Sequence, residues 1–169
     1  LSDWKRREET RLPYDNSCAP VITADGTQIW YPEKIGDSSF TLMHYNKKKQ
    51  EKIDSGVVSF QAAGSTAVYE KNNTGLYVSR GEGRDKLSAD VAFYQLSEDG
   101  SSVIWEEENA DGTRELFYRQ LDGGDAENVC LEREDTLLDV SDDLSSILYE
   151  KDGDVWLLLG GKEKKRLVQ

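Results

Sequence analysis

Apolar positions along the chain fall into short runs separated by turns, and two phrases of such runs return in a fixed order. The first phrase is an apolar run, a turn and a second run ending in an aromatic residue, as in Val21-Ile22-Thr23-Ala24-Asp25-Gly26-Thr27-Gln28-Ile29-Trp30-Tyr31. It comes back over positions 58–69, 97–105 and 140–149. In each copy an apolar triplet starts three residues after a turn residue, Gly26, Gly64, Gly100 or Leu144, and these turn residues lie 38, 36 and 44 positions apart. The second phrase runs from Leu42 to Ile53, Leu76 to Leu87, Leu116 to Val129 and Val155 to Leu167, spans of 11, 11, 13 and 12 positions. Two phrases of two runs each predict four short strands, a to d, in every unit.

Strands are preferred to helices because no stretch keeps apolar residues at i, i+3, i+4 and i+7 for three turns. The runs are rich in β-branched and aromatic residues, which suit a half-buried pleated surface. Asp-Gly pairs at Asp25-Gly26, Asp99-Gly100, Asp111-Gly112, Asp122-Gly123 and Asp152-Gly153 supply the positive φ angles of tight hairpins. The stretch from Leu1 to Leu12 repeats the 11-position spacing and reads as strands c and d of a preceding unit. The expectation is therefore an all-β chain of β-propeller blades, each of four antiparallel strands. A half blade over 1–12 precedes four complete blades over 13–54, 55–88, 89–132 and 133–169, in one propeller segment over 1–169. Units of this size need neighbours to bury both faces.

The phrase Ser97-x-Asp99-Gly100 before Val103-Ile104-Trp105, followed by Leu116-Phe117-Tyr118 and Asp122-Gly123-Gly124, is similar to TolB-like propeller repeats. The fourth unit agrees through Ile147-Leu148-Tyr149, Asp152-Gly153, Val155-Trp156, Gly160-Gly161 and Arg166-Leu167. The first two units lack the Gly-Gly turn, and the second lacks the aspartate before its turn glycine. The resemblance implies an interaction module, outside the cytoplasm or in the cell envelope, sometimes appended to a peptidase or a membrane-anchored chain. It implies no catalytic residues; without it, nothing in the sequence argues against the cytoplasm.

Composition narrows the partners. With 33 acidic and 21 basic residues the net charge is −12, so nucleic acid and anionic membranes meet long-range repulsion. No run reaches the length of an apolar membrane span. Cys18 and Cys130 fit no metal or redox spacing and read as buried or free thiols. His44 is the single histidine; without a serine, cysteine or ligand cluster around it in the sequence, it reads as structural. The stretch 107–112 begins like a calcium loop, but position twelve falls on Tyr118, where a carboxylate is needed. Gly81-Glu82-Gly83 reads as a turn between strands c and d, and Asn72-Asn73-Thr74 fits a glycosylation acceptor that serves equally as a b–c turn. No catalytic, cofactor or metal residue is assigned.

Two surfaces remain as candidates. Loops b–c and d–a open on one face of a blade ring, where Glu106, Glu107, Glu108, Asp111, Glu132, Glu134 and Asp135 form an acidic binding face, extended by Glu33, Asp54, Glu70 and Asp90. Such a face attracts a basic protein, a cation or an amine, or serves only solubility. The c–d turns on the other face carry basic residues such as Lys47, Lys48, Lys49, Lys164 and Lys165. Trp30, Tyr31, Tyr69, Trp105 and Tyr149 end strands b, while Tyr77, Phe117 and Trp156 sit in strands c, an equivalence that points to packing between blades. Tyr14 is the solitary candidate for an exposed aromatic. The sequence thus reads as a non-catalytic module binding a protein or surface polymer, without cofactor or nucleic acid. Two other readings are an accessory propeller gating an envelope peptidase or glycan-active enzyme, and a self-assembling module. For the unmatched half blade the expectations are a larger ring of six to eight blades or a homodimer through open blade sides.

Overall fold

The computed structural model describes residues 19–34, 38–72, 74–81, 83–123, 127–128, 135–160 and 163–168. The expected half blade over 1–12, Tyr14, Cys18, Cys130, Glu132 and Glu134 lie outside them. The described residues form fifteen strands and no helix, so none contains a helix able to cross a membrane. The strands are β1 (Val21–Ile22), β2 (Ile29–Lys34), β3 (Phe40–Tyr45), β4 (Gln50–Ala63), β5 (Thr66–Lys71), β6 (Gly75–Arg80), β7 (Gly83–Ser88) and β8 (Phe93–Leu96). They continue as β9 (Ser102–Glu108), β10 (Arg114–Gln120), β11 (Glu127–Asn128), β12 (Thr136–Val140), β13 (Ser146–Lys151), β14 (Asp154–Leu159) and β15 (Glu163–Val168).

All pairings are antiparallel between sequence neighbours, the pattern of consecutive propeller blades. Strands β8–β11 form one four-stranded blade and β12–β15 another. The remaining seven strands make a single sheet, β1 to β7, in which β4 belongs to two blades. Its first half pairs with β3, from Tyr45↔Gln50 to Phe40↔Val57, and its second half pairs with β5, from Val57↔Lys71 to Ala63↔Thr66. Register shifts on both sides of Val57 and a positive φ of 73° at Gly56 bend the strand there, as bulges do. The Asp-Ser-Gly signal at positions 54–56 marks this bend in place of a loop.

Alternation along strand b decides which blade each side chain meets. The fourth residue after the turn faces the next blade: Trp30, Val68 and Ile104 are 1%, 0% and 0% exposed. The third and fifth residues face the preceding blade. Trp30 thus packs with Ala67 and Tyr69, Val68 with Val103 and Trp105, and Ile104 with Ile147 and Tyr149. Strand c follows the same rule through Leu42, Leu76 and Leu116, which enter the same three cores. The expected packing role of the aromatic positions is seen in the stacks Tyr69–Tyr77, at 5.8 Å, and Trp105–Phe117, at 5.5 Å between ring centroids.

The turn residue aligned across the units adopts the left-handed conformation in all four, Gly26 at φ 64°, Gly64 at 54°, Gly100 at 72° and Leu144 at 58°. Leucine carries a steric cost of roughly 1–2 kcal/mol there, offset by burying its side chain with Ile104, Leu116 and Tyr149. Asp25 and Asp99 do not act as the first residue of a tight hairpin, as the Asp-Gly pairs predict. Their carboxylates cap a wider turn: Thr23 Oγ1 donates to Asp25 at 2.6 Å and Ser97 Oγ to Asp99 at 2.7 Å, while the amides of Thr27 and Ser101 donate at 2.9 Å. Ser141 and Asp143 repeat the device in the last blade. Asp152-Gly153, at φ 54° and 81°, is the two-residue hairpin the sequence predicts.

Candidate binding surface

The hairpin joining β9 to β10 carries most of the described acidic candidates, and distance from the blade core divides them. Glu108 and Asp111 are exposed. Asp111 caps its own hairpin tip, accepting from the Thr113 amide at 3.0 Å and hydroxyl at 2.6 Å. Glu107 accepts from the indole Nε1–H of Trp105 at 2.9 Å. Glu106 corrects the expectation of an exposed face: it is 5% exposed, because it shares the side of β9 that Ile104 buries against the next blade. Arg114 donates to it at 3.2 Å and also lies 3.5 Å from Glu108. Asp135 is half-buried at the start of the last blade.

Asp54, expected in an open connection, sits at the bend of β4 with Lys71 Nζ at 2.9 Å, Arg84 Nη1 at 3.6 Å and the Tyr69 hydroxyl at 3.1 Å. Burial alone raises its pKa, but the contacts from Lys71, the Ser55 amide and Tyr69 together bring it below the usual carboxylate value. His44 is buried, stacked on Trp30 at 4.1 Å, with Nε2 2.6 Å from Gln28 Oε1 and Nδ1 3.4 Å from Glu51 Oε1. Burial lowers its pKa, and its surroundings are those of a packing residue.

A cleft of about 410 Å³ opens on the b–c side between the second and third blades. One wall is β4 and β5, giving Ser59, Phe60, Gln61 and Glu70; the other is the chain entering β8, giving Val91, Ala92, Phe93 and Tyr94. Ser59 and Glu70 are direct partners across the β4–β5 ladder, with Ser59 Oγ 3.3 Å from Glu70 Oε2 and 2.7 Å from Tyr94 Oη. Gln61 ties the walls together, donating to the Tyr94 carbonyl at 3.1 Å and accepting from the Leu96 amide at 2.8 Å. Three hydrogen-bonded oxygens, one of them a carboxylate, thus belong to residues lining the cleft beside Val91 and Ala92. Glu70, Glu106 and Glu150 all stand six residues after their turn residue, a repeat signal that marks glutamate at the blade margin. Ser59 and Tyr94 carry no such signal, since they meet only across strands and blades.

The opposite side holds a smaller hollow of about 120 Å³ lined by Val78, Arg80, Gly83, Asp85, Arg119 and Leu121. Arg119 is 3.6 Å from Asp85 there, so this hollow has the size of a few waters and an internal ion pair.

No protein-family profile and no curated protein matches the chain. Solved structures do. The acylaminoacyl peptidase of Pyrococcus horikoshii is similar over 89% of this chain and 32% of its own, at 11% identity and a TM-score of 0.60. The β-propeller domain of the Trilobed protease from Pyrococcus furiosus is similar over 89% of this chain and 56% of its own, at 11% identity and a TM-score of 0.62. TolB from Acinetobacter baumannii is similar over 90% of this chain and 43% of its own, at 15% identity and a TM-score of 0.53. The chain therefore spans between a third and somewhat over half of these proteins. At such identities the likeness establishes the fold, successive blades of a β-propeller of the kind found in TolB and in peptidase propeller domains.

Proposed function

We propose that this chain is a non-catalytic propeller module that binds a cationic protein partner on its b–c face. The observation that carries this reading is the cleft with Glu70 in its wall, set on a face where Lys71, Arg84 and Arg114 are already ion-paired. Lys71 and Arg84 are held by Asp54, and Arg114 by Glu106 and Glu108. Among the described residues, Glu70, Glu107, Asp90 and Asp111 outnumber the exposed Lys86 that sits over the Tyr77 ring, on a chain of net charge −12. Such a face steers a basic partner and gives binding that weakens with salt. The likeness to TolB fits the envelope or extracellular placement that the repeat resemblance implies.

The test is titration of a lysine-rich peptide into the protein by calorimetry at rising ionic strength. Saturable binding that loses at least tenfold between low and physiological salt supports the reading. An acidic peptide binding equally well defeats it. A second reading, an accessory propeller that positions substrate for a peptidase, is favoured by the propeller domains of two peptidases among the structural neighbours.

A further inference from the structure

We propose that the cleft between the second and third blades is a receptor for a primary ammonium on an aliphatic stem, a lysine side chain of the partner. This assignment rests on the acidic-face reading and names its central contact. Glu70 is a half-buried carboxylate with no cationic partner among the described residues, its contact being the Ser59 hydroxyl at 3.3 Å. The neighbouring cation cannot serve: alternation along β5 sends Lys71 to the opposite side, where Asp54 holds it at 2.9 Å. Two other inward carboxylates, Asp54 and Glu106, each have a cation from the chain itself. Glu70 lines an open volume.

The chemistry of the walls selects the ligand. An alkylammonium has three N–H donors and no acceptor, and a carboxylate with a neutral oxygen next to it meets two of them while the third stays with water. Glu70 supplies the charge, and the hydroxyls of Ser59 and Tyr94, joined to it at 3.3 and 2.7 Å along the chain Glu70–Ser59–Tyr94, supply a neutral acceptor beside it. With Ser59 donating to Glu70, Tyr94 donates to Ser59, and the Ser59 oxygen keeps one lone pair for an incoming donor. A guanidinium is planar and forks best onto a carboxylate with both oxygens open; Glu70 Oε2 already accepts from Ser59, so the site favours lysine over arginine. Val91 and Ala92 line the opening and offer apolar surface to the methylene stem. Gln61 holds the two walls at fixed separation through its contacts to Tyr94 and Leu96, so little ordering is needed on binding.

The experiment is chemical-shift titration of the whole chain with four probes: Nα-acetyl-lysine methylamide, the arginine analogue, the norleucine analogue and cadaverine. The expected result is saturable binding of the lysine probe with a Kd on the order of millimolar, a scale typical of a small single contact. Shifts should centre on residues 59, 70 and 94. Arginine should bind several-fold more weakly and norleucine not at all. Glu70→Gln should weaken the lysine probe at least tenfold, and Tyr94→Phe about threefold, with unchanged melting temperatures. If Glu70→Gln proves unfolded, Tyr94→Phe and Ser59→Ala carry the test.

Absence of saturation by the lysine probe, or equal affinity in Glu70→Gln, overturns the assignment. Tighter binding of cadaverine than of the lysine amide overturns the protein source and leaves a free diamine. The two levels of the argument separate cleanly. A lysine-rich peptide that binds with salt dependence but ignores Glu70→Gln sinks the cleft and keeps the acidic face. A lysine amide that binds while the peptide does not sinks the acidic face as a protein-binding surface, and the lysine source with it.

Discussion

The outward faces of the third and fourth blades are built from the same repeat positions, yet one is sealed and the other is not. Ile104 and Leu116 of the third blade are 0% and 2% exposed under the fourth. Their equivalents, Leu148 and Val155, are only half-buried, as is Leu157 beside them. The fourth blade also carries Leu138, 47% exposed. An apolar face is thus a property of the repeat, while burial belongs to the next blade that covers it. Full burial of a large aliphatic side chain is worth roughly 1.5–3 kcal/mol, so the two faces should differ in energy far more than in composition.

The largest test of that contrast is a matched truncation. Ile104→Ala should cost about 2–4 kcal/mol, as buried aliphatic deletions do, and Leu148→Ala less than about half of that, both read from urea unfolding midpoints. Equal losses would show that Leu148 is covered in solution. Next in size is the pair of glycines. Gly100→Ala should cost about 2 kcal/mol or more, because its φ is positive and an added Cβ would stand 2.7 Å from the Ala63 carbonyl of the second blade. Gly160→Ala, also at positive φ but with open space around it, should cost about 1 kcal/mol. A larger loss at Gly160 would reverse the ranking of sealed and open margins.

Smaller still is Gln95→Ala, expected to cost about 1 kcal/mol, since its side chain bridges from β8 to the Val140 and Ser141 carbonyls of the fourth blade at 3.4 and 3.2 Å. The least is an acid effect shared by sealed and open blades alike. Hydrogen bonds from Thr23 and Thr27 hold the Asp25 carboxyl at about 2, and those from Ser97 and Ser101 hold Asp99 at about 2. A pKa lowered on folding stabilises above the unfolded value of 3.8, and that contribution disappears as pH falls from about 4 toward 2. Asp99→Asn should flatten the acid limb of a melting-temperature profile. An unchanged limb would deny the turn its electrostatic role.

Much of this architecture is legible in the repeat spacing alone. The intervals from Gly26, Gly64, Gly100 and Leu144 place strand b, and the leucine proves as left-handed as the glycines. Aromatic residues at equal positions announce the blade cores because nothing else at that size repeats. Other features are hidden for physical reasons. A bulge and a turn share the same residues, so Asp54-Ser55-Gly56 does not disclose that β4 runs on. The opposite fates of Glu106 and Glu108 follow from the third core, which needs knowledge of the neighbouring blade. The cleft is least legible, since Ser59 and Tyr94 are 35 positions apart and no local pattern joins them.

The uninterrupted β4 makes the first two blades one mechanical body. Its 14 residues carry ladder bonds to β3 at one end and β5 at the other, so neither blade can open without tearing the strand they share. Hydrogen exchange would then report amides of β3 and β5 releasing together, as a single cooperative unit. The third and fourth blades, each a separate sheet, keep the freedom to release one at a time. The cleft lies on the seam between these two regimes, where one wall is stiff and the other is the first blade able to yield.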